Sequence, residues 1–247
     1  MSKIDIVICV GPFDAKLIKE LTINIKQYVM HINKIYLIMP TNILDKYRVY
    51  DPIVENIDEN IFPFNKQYID DKFKYPKRSG WYLQQLLKIY APIIITQILD
   101  NYVIIDADIK FFKPIGFFKN NKMLLNIEES HHTPYFTHMN KLYNGLIKKT
   151  KYSGITNLMP MKRHIITSLI NIVEQTHHKT FWEVFLDMVE QNMYNFSGAS
   201  EYEILFNYSL IFFENECEIQ RISFHNVEQF MYNSGDVYQA CHHYARK

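Results

Sequence analysis

The sequence has little glycine and little cysteine, and it lacks the glycine-rich loops that mark many nucleotide-binding proteins. Only 7 of its 247 residues are glycine, and it contains no Walker A, G-x-G-x-x-G or G-x-S-x-G motif. These absences remove the usual support for a P-loop kinase, a dehydrogenase or a serine hydrolase. The three cysteines, Cys9, Cys217 and Cys241, share no metal-binding spacing, and their odd number argues against a disulfide framework.

The sequence also has almost no net charge and no long apolar run. Lys and Arg total 27 against 26 Asp and Glu, so the formal charge of +1 does not favour nucleic acid as a partner. The apolar runs at Ile4–Val10 and Ala91–Leu99 are too short for a signal peptide or a membrane span. We therefore expect a soluble protein of the cytoplasm, where cysteines stay reduced. The wealth of Ile, Asn, Lys and Tyr is typical of an AT-rich coding sequence; for a large AT-rich virus, the expected compartment is the host cytoplasm.

What the sequence does contain is a regular alternation of apolar runs and amphipathic segments, with 48% hydrophobic residues to form a core. Apolar runs predict strands at Ile4–Val10, Lys34–Pro40, Val49–Val54, Asn101–Asp106, Lys122–Ile127 and Ile219–His225. Helical spacing predicts helices at Asp14–Lys26, Thr41–Tyr47, Ser79–Leu99, His138–Lys148, Lys162–Gln175, Thr180–Gln191 and Ser200–Phe212. This order predicts one α/β domain over residues 1–247, with a mostly parallel mixed sheet flanked by helices.

Two carboxylates, Asp106 and Asp108, follow the predicted strand at Asn101–Asp106. Ligands bind at the carboxyl ends of strands in open α/β sheets. Side chains two residues apart in an extended segment point to the same face, so both carboxylates can address one hard cation. The competing interpretation is a pair of solvated acids, because D-x-D is a common pattern. The strand before the pair, and the aromatic Lys110–Pro114 segment after it, favour a site.

Two further motifs accompany the acidic pair. Gly-Trp-Tyr-Leu-Gln-Gln-Leu-Leu-Lys occupies Gly80–Lys88, and Ser-Glu-Tyr-Glu occupies Ser200–Glu203. In this order the three motifs resemble a family of largely uncharacterised, mostly bacterial nucleotide-diphospho-sugar transferases of the GT-A type, over most of the chain. The resemblance implies a Rossmann-like GT-A fold and a metal-dependent, hexosyltransferase-like glycosyltransferase. It also implies Mn²⁺ or Mg²⁺, a UDP- or GDP-sugar donor, and a glycan, lipid-linked sugar or protein hydroxyl as acceptor.

The resemblance also implies a division of labour along the chain. Residues 1–130 would form the nucleotide-sugar-binding core, and 131–247 the acceptor-side helices and a C-terminal metal-site segment. Asp106 would contact the ribose or the metal, and Asp108 would be the principal metal ligand and thus a catalytic residue. The residues expected to contact the donor are Val10, Gly11, Asp14, Gln85, Lys88, Asp106 and Arg246. Gln85 and Lys88 are equally compatible with an ordinary exposed helix face.

The C-terminal residues are the expected source of a third metal ligand, which in GT-A enzymes is frequently a histidine. Neighbouring residues of an extended segment face opposite ways, so only one of His242 and His243 would serve. We favour His243, with Arg246 beside it for phosphate. His225 is a weaker competitor, and a frayed tail is the structural alternative.

Ser200 and Glu203 have the spacing of a capping box at a helix start. That leaves Glu201 as the expected general base of an inverting transfer, or simply as an acid that complements the helix dipole. The stretch Glu128–His132 would line the acceptor side or form a solvated loop. The sequence predicts neither the stereochemistry of transfer nor an oligomeric state.

Two other functions remain open at the level of sequence. A sugar-phosphate nucleotidyltransferase shares the layout, but it would need a glycine-rich basic loop where this chain has Gly11-Pro-Phe-Asp14. A non-catalytic GT-A-like binding or scaffold domain is the second, and the intact acidic pair argues against it.

Overall fold

The computed structural model describes residues 2–232 and 235–246. Within them the strands are β1 (Ile4–Cys9), β2 (Ile32–Met39), β3 (Val54–Asp58), β4 (Asn101–Ile105), β5 (Ile109–Phe111), β6 (Phe118–Lys119), β7 (Lys122–Asn126), β8 (Leu158–Lys162), β9 (Cys217–Gln220), β10 (Phe224–Asn226) and β11 (Tyr238–Ala240). The α-helices are α1 (Ile18–Tyr28), α2 (Thr41–Tyr47), α3 (Lys66–Phe73), α4 (Ser79–Ile94), α5 (Thr133–Leu142), α6 (Arg163–His177), α7 (Phe181–Asp187) and α8 (Glu201–Phe212).

The central sheet has five strands in the order β3-β2-β1-β4-β8. The first four are parallel to one another, and β8 pairs antiparallel to β4 at one edge. Both faces of β1 are buried, which suits its nearly continuous run of apolar residues. The structure is therefore α/β, with a mostly parallel mixed sheet flanked by helices and compatible with a Rossmann-like fold.

Alternate residues of the central strands enter two separate hydrophobic cores. Val7 of β1 and Ile104 of β4 pack on one side with α3, α4, α6, α7 and α8. Ile8 and Ile105 pack on the other side with α1 and α2. The period-2 alternation of a strand thus places a helical layer on each face. In the described part of the chain, no helix is long and apolar enough to cross a membrane.

The direction of chain growth reverses between β1 and β4. From β1 the chain adds β2 and then β3 on one side, and it returns to the other side of β1 to form β4. The loops that leave the carboxyl ends of β1 and β4 therefore diverge, which is the topology at which ligand crevices form in open α/β sheets.

Two three-stranded sheets complete the fold, in the orders β10-β11-β5 and β6-β7-β9. The first joins distant parts of the sequence, because β11 pairs antiparallel with β5 and places Ala240 opposite Ile109. The segment that follows β11 therefore lies beside the residues that follow β4.

Most of the predicted elements are present, with shifted bounds. The helix at Thr41–Tyr47 is confirmed, and the strand predicted at Val49–Val54 begins only at Val54. The helix that starts at Ser79 ends at Ile94, shortly after Pro92. The strand predicted at Ile219–His225 is wrong as a single element, because two strands, β9 and β10, occupy that region. The helix predicted at His138–Lys148 lies at Thr133–Leu142.

Candidate functional site

The acidic pair lies at the switch point of the central sheet. Asp106 directly follows β4, and Asp108 precedes β5, which pairs with β11. The loop after β1, which includes Val10 and Gly11, leaves from the neighbouring strand. Val10 is buried and donates its backbone N–H to Ile38, whereas Gly11 is partly exposed and its carbonyl accepts two N–H groups of the following turn.

Asp106 is held by three polar side chains. Its Oδ1 accepts from Lys88 Nζ at 2.5 Å and from the Tyr202 hydroxyl at 2.8 Å. Its Oδ2 lies 3.4 Å from Asn157 Nδ2, and its backbone N–H donates to the Asn157 carbonyl. These bonds fix the carboxylate: Oδ1 is engaged by two donors, and Oδ2 has only the long contact with Asn157.

Lys88 joins Asp106 to Glu201 in a buried network. Lys88 Nζ donates to Glu201 Oε1 at 2.6 Å, and both side chains are almost completely buried. Burial alone would lower the pKa of Lys88, but the two carboxylates outweigh it and hold that pKa above its usual value. The ammonium group therefore stays charged. Gln85 Oε1 also accepts the backbone N–H of Glu201 at 3.0 Å.

This network changes the roles expected for the α4 and α8 motifs. Glu201 is not free to take a proton from an acceptor, because its carboxylate is paired with Lys88 and enclosed. Burial raises the pKa of Glu201 in spite of the opposing charge of Lys88. Gln85 and Lys88 are not exposed helix residues: both are buried, so any effect on a donor would pass through Asp106 and Glu201.

The capping box predicted at the start of α8 is half formed. Ser200 is the N-cap, and its side chain accepts from the Glu203 backbone N–H. The Glu203 carboxylate turns the other way, where it accepts from Ser153 Oγ at 2.6 Å and from Asn207 Nδ2 at 3.0 Å. Glu203 thus ties α8 to the segment before β8.

Asp108 has quite different surroundings from Asp106. Its Oδ2 lies 2.8 Å from His242 Nδ1, and its backbone carbonyl accepts from the N–H of Cys241. Burial would raise the pKa of Asp108, but the hydrogen bond from His242 outweighs it and the pKa is lowered. The same bond raises the pKa of His242. Asp108 is therefore an ionised carboxylate.

The second oxygen of Asp108 has no hydrogen-bond partner among the described residues, although it is buried. An ionised buried oxygen without a partner is costly, so this oxygen is open to a water, an ion or another donor. No group of three or more His, Cys, Asp or Glu side chains in residues 2–232 and 235–246 could hold a metal ion by itself. Mg²⁺ and Mn²⁺ need no such group, because they take one or two protein ligands together with phosphate oxygens and water. Asp108 alone offers a free oxygen for such a cation, because its other oxygen is held by the hydrogen bond from His242.

The structure places His242, and not the favoured His243, beside Asp108. Because Cys241 is hydrogen-bonded to Asp108, the next residue, His242, faces the carboxylate. His243 points away and stacks on Phe13, with 4.6 Å between ring centroids and an interplanar angle of 6°. His225, the weaker competitor, is instead bonded to Asp236.

Arg246 ties the C-terminal segment to the loop after β1. Its guanidinium donates to the Phe13 carbonyl at 3.0 Å and to the Asp14 carboxylate. The helix predicted to begin at Asp14 begins later as an α-helix, at Ile18, and the Asp14 side chain makes no capping bond. Burial outweighs the Arg246 bond and raises the pKa of Asp14. The tail is thus not frayed over residues 241–246.

Two site residues escape prediction from sequence. Tyr202 lies inside the Ser-Glu-Tyr-Glu motif, but nothing in the pattern shows that its hydroxyl reaches Asp106. Asn157 precedes β8 with a φ of 61°, a conformation that asparagine tolerates better than most residues. Its contact with Asp106 depends on the pairing of β4 with β8.

A polar surface groove lies away from this site, at the amino end of β4. Asp100, Arg163 and His164 contribute to its lining. The Arg163 guanidinium donates to backbone carbonyls, among them those of Pro92 and Ile98. Arg163 therefore has a structural role: it satisfies carbonyls in the last turn of α4 and in the segment that follows it.

The fold and the site define an α/β protein with an acidic pair at the switch point of a mostly parallel sheet. The sequence model of DUF6492, a family of unknown function, matches residues 5–240. The match spans nearly the whole chain, which therefore belongs to this family. It includes all three motifs, whereas the residues from Cys241 onward lie beyond it. No match was found among curated proteins.

Proposed function

We propose that the protein is a metal-dependent glycosyltransferase of the GT-A type, which moves a sugar from a nucleotide-diphosphate sugar to a hydroxyl acceptor. The observation that supports this most is the unpartnered, buried oxygen of the ionised Asp108, beside His242 at the switch point of the sheet. Such crevices are where nucleotides bind in open α/β sheets.

The residues around the site suit a diphosphate. Asp108 would hold Mn²⁺ or Mg²⁺ through its unpartnered oxygen while His242 orients the carboxylate, and the bound metal would offset the charge that builds up on the leaving diphosphate. Asp106, fixed by Lys88 and Tyr202, presents a rigid polar edge toward the ribose or the sugar. The loop after β1 offers the partly exposed Gly11, where an added Cβ would meet open space, so a nucleotide can approach the backbone there.

A second observation supports the proposal: the motifs that carry the family resemblance lie close together in the structure. Gly80–Lys88 supplies Gln85 and Lys88, and Ser200–Glu203 supplies Glu201 and Tyr202, all around Asp106. The loop after β1 is bound instead to Arg246.

The proposal is tested by nucleotide binding and donor turnover. Wild-type protein should bind UDP or GDP in the presence of Mn²⁺, and should release nucleoside diphosphate from one member of a UDP- and GDP-sugar panel. Asp108→Ala should weaken the Mn²⁺-dependent binding at least about 100-fold, because it removes the charged ligand. The control is Asp100→Ala, which removes an exposed carboxylate at the other end of the same strand.

Calorimetric titration and product analysis decide between the alternatives. Release of pyrophosphate from a nucleoside triphosphate and a sugar phosphate would indicate a nucleotidyltransferase. If the protein shows neither donor turnover nor Mn²⁺-dependent nucleotide binding, the scaffold-domain alternative is supported. Unchanged binding by Asp108→Ala would contradict the metal site.

A further inference from the structure

One face of α4 carries polar residues that reach the site, and a partly exposed tryptophan precedes them. Trp81, Gln84 and Lys88 have the spacing i, i+3 and i+7, which places them on one side of the helix. Lys88 Nζ donates to Asp106 Oδ1 at 2.5 Å. Gln84 Nε2 lies 3.4 Å from the carbonyl of Cys9, the last residue of β1. Trp81, one turn nearer the start of α4, therefore lies beyond the carboxyl ends of the strands.

Two further aromatic side chains extend the surface that Trp81 begins. The Tyr135 ring of α5 is nearly parallel to that of Trp81, with 6.5 Å between centroids and 28° between planes, as in an offset aromatic pair. The His132 ring meets Tyr135 edge-on, with centroids 4.5 Å apart. Trp81 and Tyr135 are partly exposed, and His132 is exposed. These three residues form an aromatic platform that solvent can reach.

Direct hydrogen bonds connect the aromatic platform with the buried network around Asp106. His132 Nε2 lies 2.8 Å from the carbonyl of Ser197. Four residues later, Glu201 donates its backbone N–H to Gln85 Oε1 at 3.0 Å. Gln85 follows Trp81 by four residues, so it is the next residue along the same face of α4. The platform thus begins one helical turn from the residues that hold Asp106.

Unused hydrogen-bond donors and open space adjoin the aromatic platform. Gly80 is exposed, and a Cβ added there would meet no atom within 4 Å. The Arg78 guanidinium lies over the Trp81 ring, 5.4 Å from its centroid, and forms no ion pair with any of the described residues. Gln85 Nε2 is buried and has no hydrogen-bond partner among them, while Oε1 of the same amide is held by Glu201. Donors without protein partners are free to bind water or a ligand hydroxyl.

Aromatic faces beside free donors suit a saccharide. The C–H groups on the flatter face of a pyranose ring are attracted to the negative face of an aromatic ring. The hydroxyls around its rim accept hydrogen bonds from guanidinium and amide groups. An alkyl chain would cover the rings but would leave the donors unpaired, which is unfavourable. The metal and the diphosphate are proposed at Asp108, beside the C-terminal segment and the loop after β1. The platform belongs to α4 and to the α5 region, so it is available to the acceptor.

We propose that Trp81 and Tyr135 bind a sugar ring of the acceptor, so that the acceptor is a saccharide and not an alkyl alcohol or a serine or threonine hydroxyl. This assignment rests on the proposed function, because it names the acceptor class of the same site. It assigns both residues to binding and gives neither a part in proton transfer.

The chain has two tryptophans, which makes a direct binding test possible. Trp182 packs on Tyr68 with ring centroids 4.9 Å apart, and its backbone N–H donates to the hydroxyl of Tyr90, nine residues after Trp81 in α4. Trp182→Phe therefore leaves Trp81 as the sole tryptophan without a change at the platform. In this variant we expect methyl glycosides and disaccharides of common hexoses to shift the tryptophan emission saturably, with Mn²⁺ and UDP or GDP present. Decanol and a serine-containing peptide should leave the emission unchanged.

Acceptor kinetics provide the second test. Trp81→Leu and Tyr135→Leu should each raise the acceptor KM by about 10-fold or more, because a stacking contact is lost, and should leave donor hydrolysis without acceptor within about 2-fold of wild type. Trp182→Phe is the matched control and should keep the wild-type acceptor KM. Far-UV circular dichroism checks that each variant is folded. If Trp81→Leu does not fold, Tyr135→Leu and the fluorescence titration decide.

The possible failures can be told apart. An acceptor KM that stays at the wild-type value in the folded leucine variants would overturn the platform and leave the glycosyltransferase proposal standing. The platform would also be overturned if no saccharide shifted the Trp81 emission, or if UDP or GDP alone shifted it as strongly as the saccharides do. A wild-type protein that releases nucleoside diphosphate from no donor sugar would overturn the proposed function itself. A saccharide-dependent shift of Trp81 emission in that protein would still support the saccharide site.

Discussion

Asp106 and Asp108 are two residues apart, yet their surroundings give them different capacities. Asp106 is surrounded by donors, whereas Asp108 keeps one buried oxygen without a partner. The pattern D-x-D predicts that both carboxylates face one site. It cannot show which of them is already hydrogen-bonded within the protein. That distinction comes from Lys88 and Tyr202, which lie 18 and 96 residues from Asp106 in the sequence.

At the scale of single residues, we expect a substitution of Lys88 to lower the stability of the protein strongly. Lys88→Met keeps most of the side-chain volume but leaves Asp106 and Glu201 buried without their cation. We expect the free energy of unfolding to fall by about 3 kcal/mol or more, because an uncompensated buried charge is costly. Urea denaturation at pH 7 measures it.

The matched control for that change is Lys141→Met, which breaks an exposed ion pair with Glu190. Such pairs contribute at most about 1 kcal/mol. Equal destabilisation by the two variants would show that the Lys88 network is not the tight buried unit that the distances describe.

At the scale of elements, α8 depends on its first residue. Ser200 is the N-cap, and α8 carries Glu201 and Tyr202 into the site. Ser200→Ala should lower the free energy of unfolding by about 1 kcal/mol, because it removes an acceptor for the helix N-terminus. Urea denaturation measures the loss.

Thr180→Ala provides the comparison, since Thr180 precedes α7 but makes no side-chain capping bond. Thr180→Ala should lower the free energy of unfolding by less than Ser200→Ala does. A Ser200→Ala variant as stable as wild type would mean that the burial of α8 alone holds its N-terminus.

The elements that sequence predicts well are those whose signal is local. β1 and β4 are apolar runs, and α4 and α8 have marked starts, so their existence follows from residues within each segment. β8 is missed because Pro160 lies inside it; proline is tolerated there because β8 is an edge strand of the sheet.

The rest of the site depends on long-range pairing. His242 and not His243 faces Asp108 because the segment after β11 is set by its pairing with β5, two strands of three residues each. Such short strands give no clear periodic signal. Glu201 was expected to be free because its partner, Lys88, lies 113 residues away in the sequence.

At the scale of the whole molecule, the C-terminal segment is the part that links the loop after β1 to the residues after β4. Truncation after Ala240 removes His242 and Arg246 but leaves β11 intact. We expect the truncated protein to keep its far-UV circular dichroism spectrum and to lose Mn²⁺-dependent binding of UDP and GDP. Calorimetric titration of both nucleotides, with and without Mn²⁺, measures the second effect.

Full-length His243→Ala is the companion variant, since His243 stacks on Phe13 and does not face Asp108. It should bind nucleotide more tightly than His242→Ala. Unimpaired Mn²⁺-dependent binding by the truncated chain would show that the C-terminal segment has no part in the site.

The immobilisation of Asp106 has a thermodynamic consequence for ligand binding. A free aspartate loses rotamer entropy when it engages a ligand, whereas Asp106 is already restrained by Lys88, Tyr202 and Asn157 before any ligand arrives. That ordering entropy is lost during folding and not during binding, so it does not reduce the affinity for the nucleotide sugar that we propose as ligand. The buried network therefore orders Asp106 at the expense of the free energy of folding, and not at the expense of the free energy of binding.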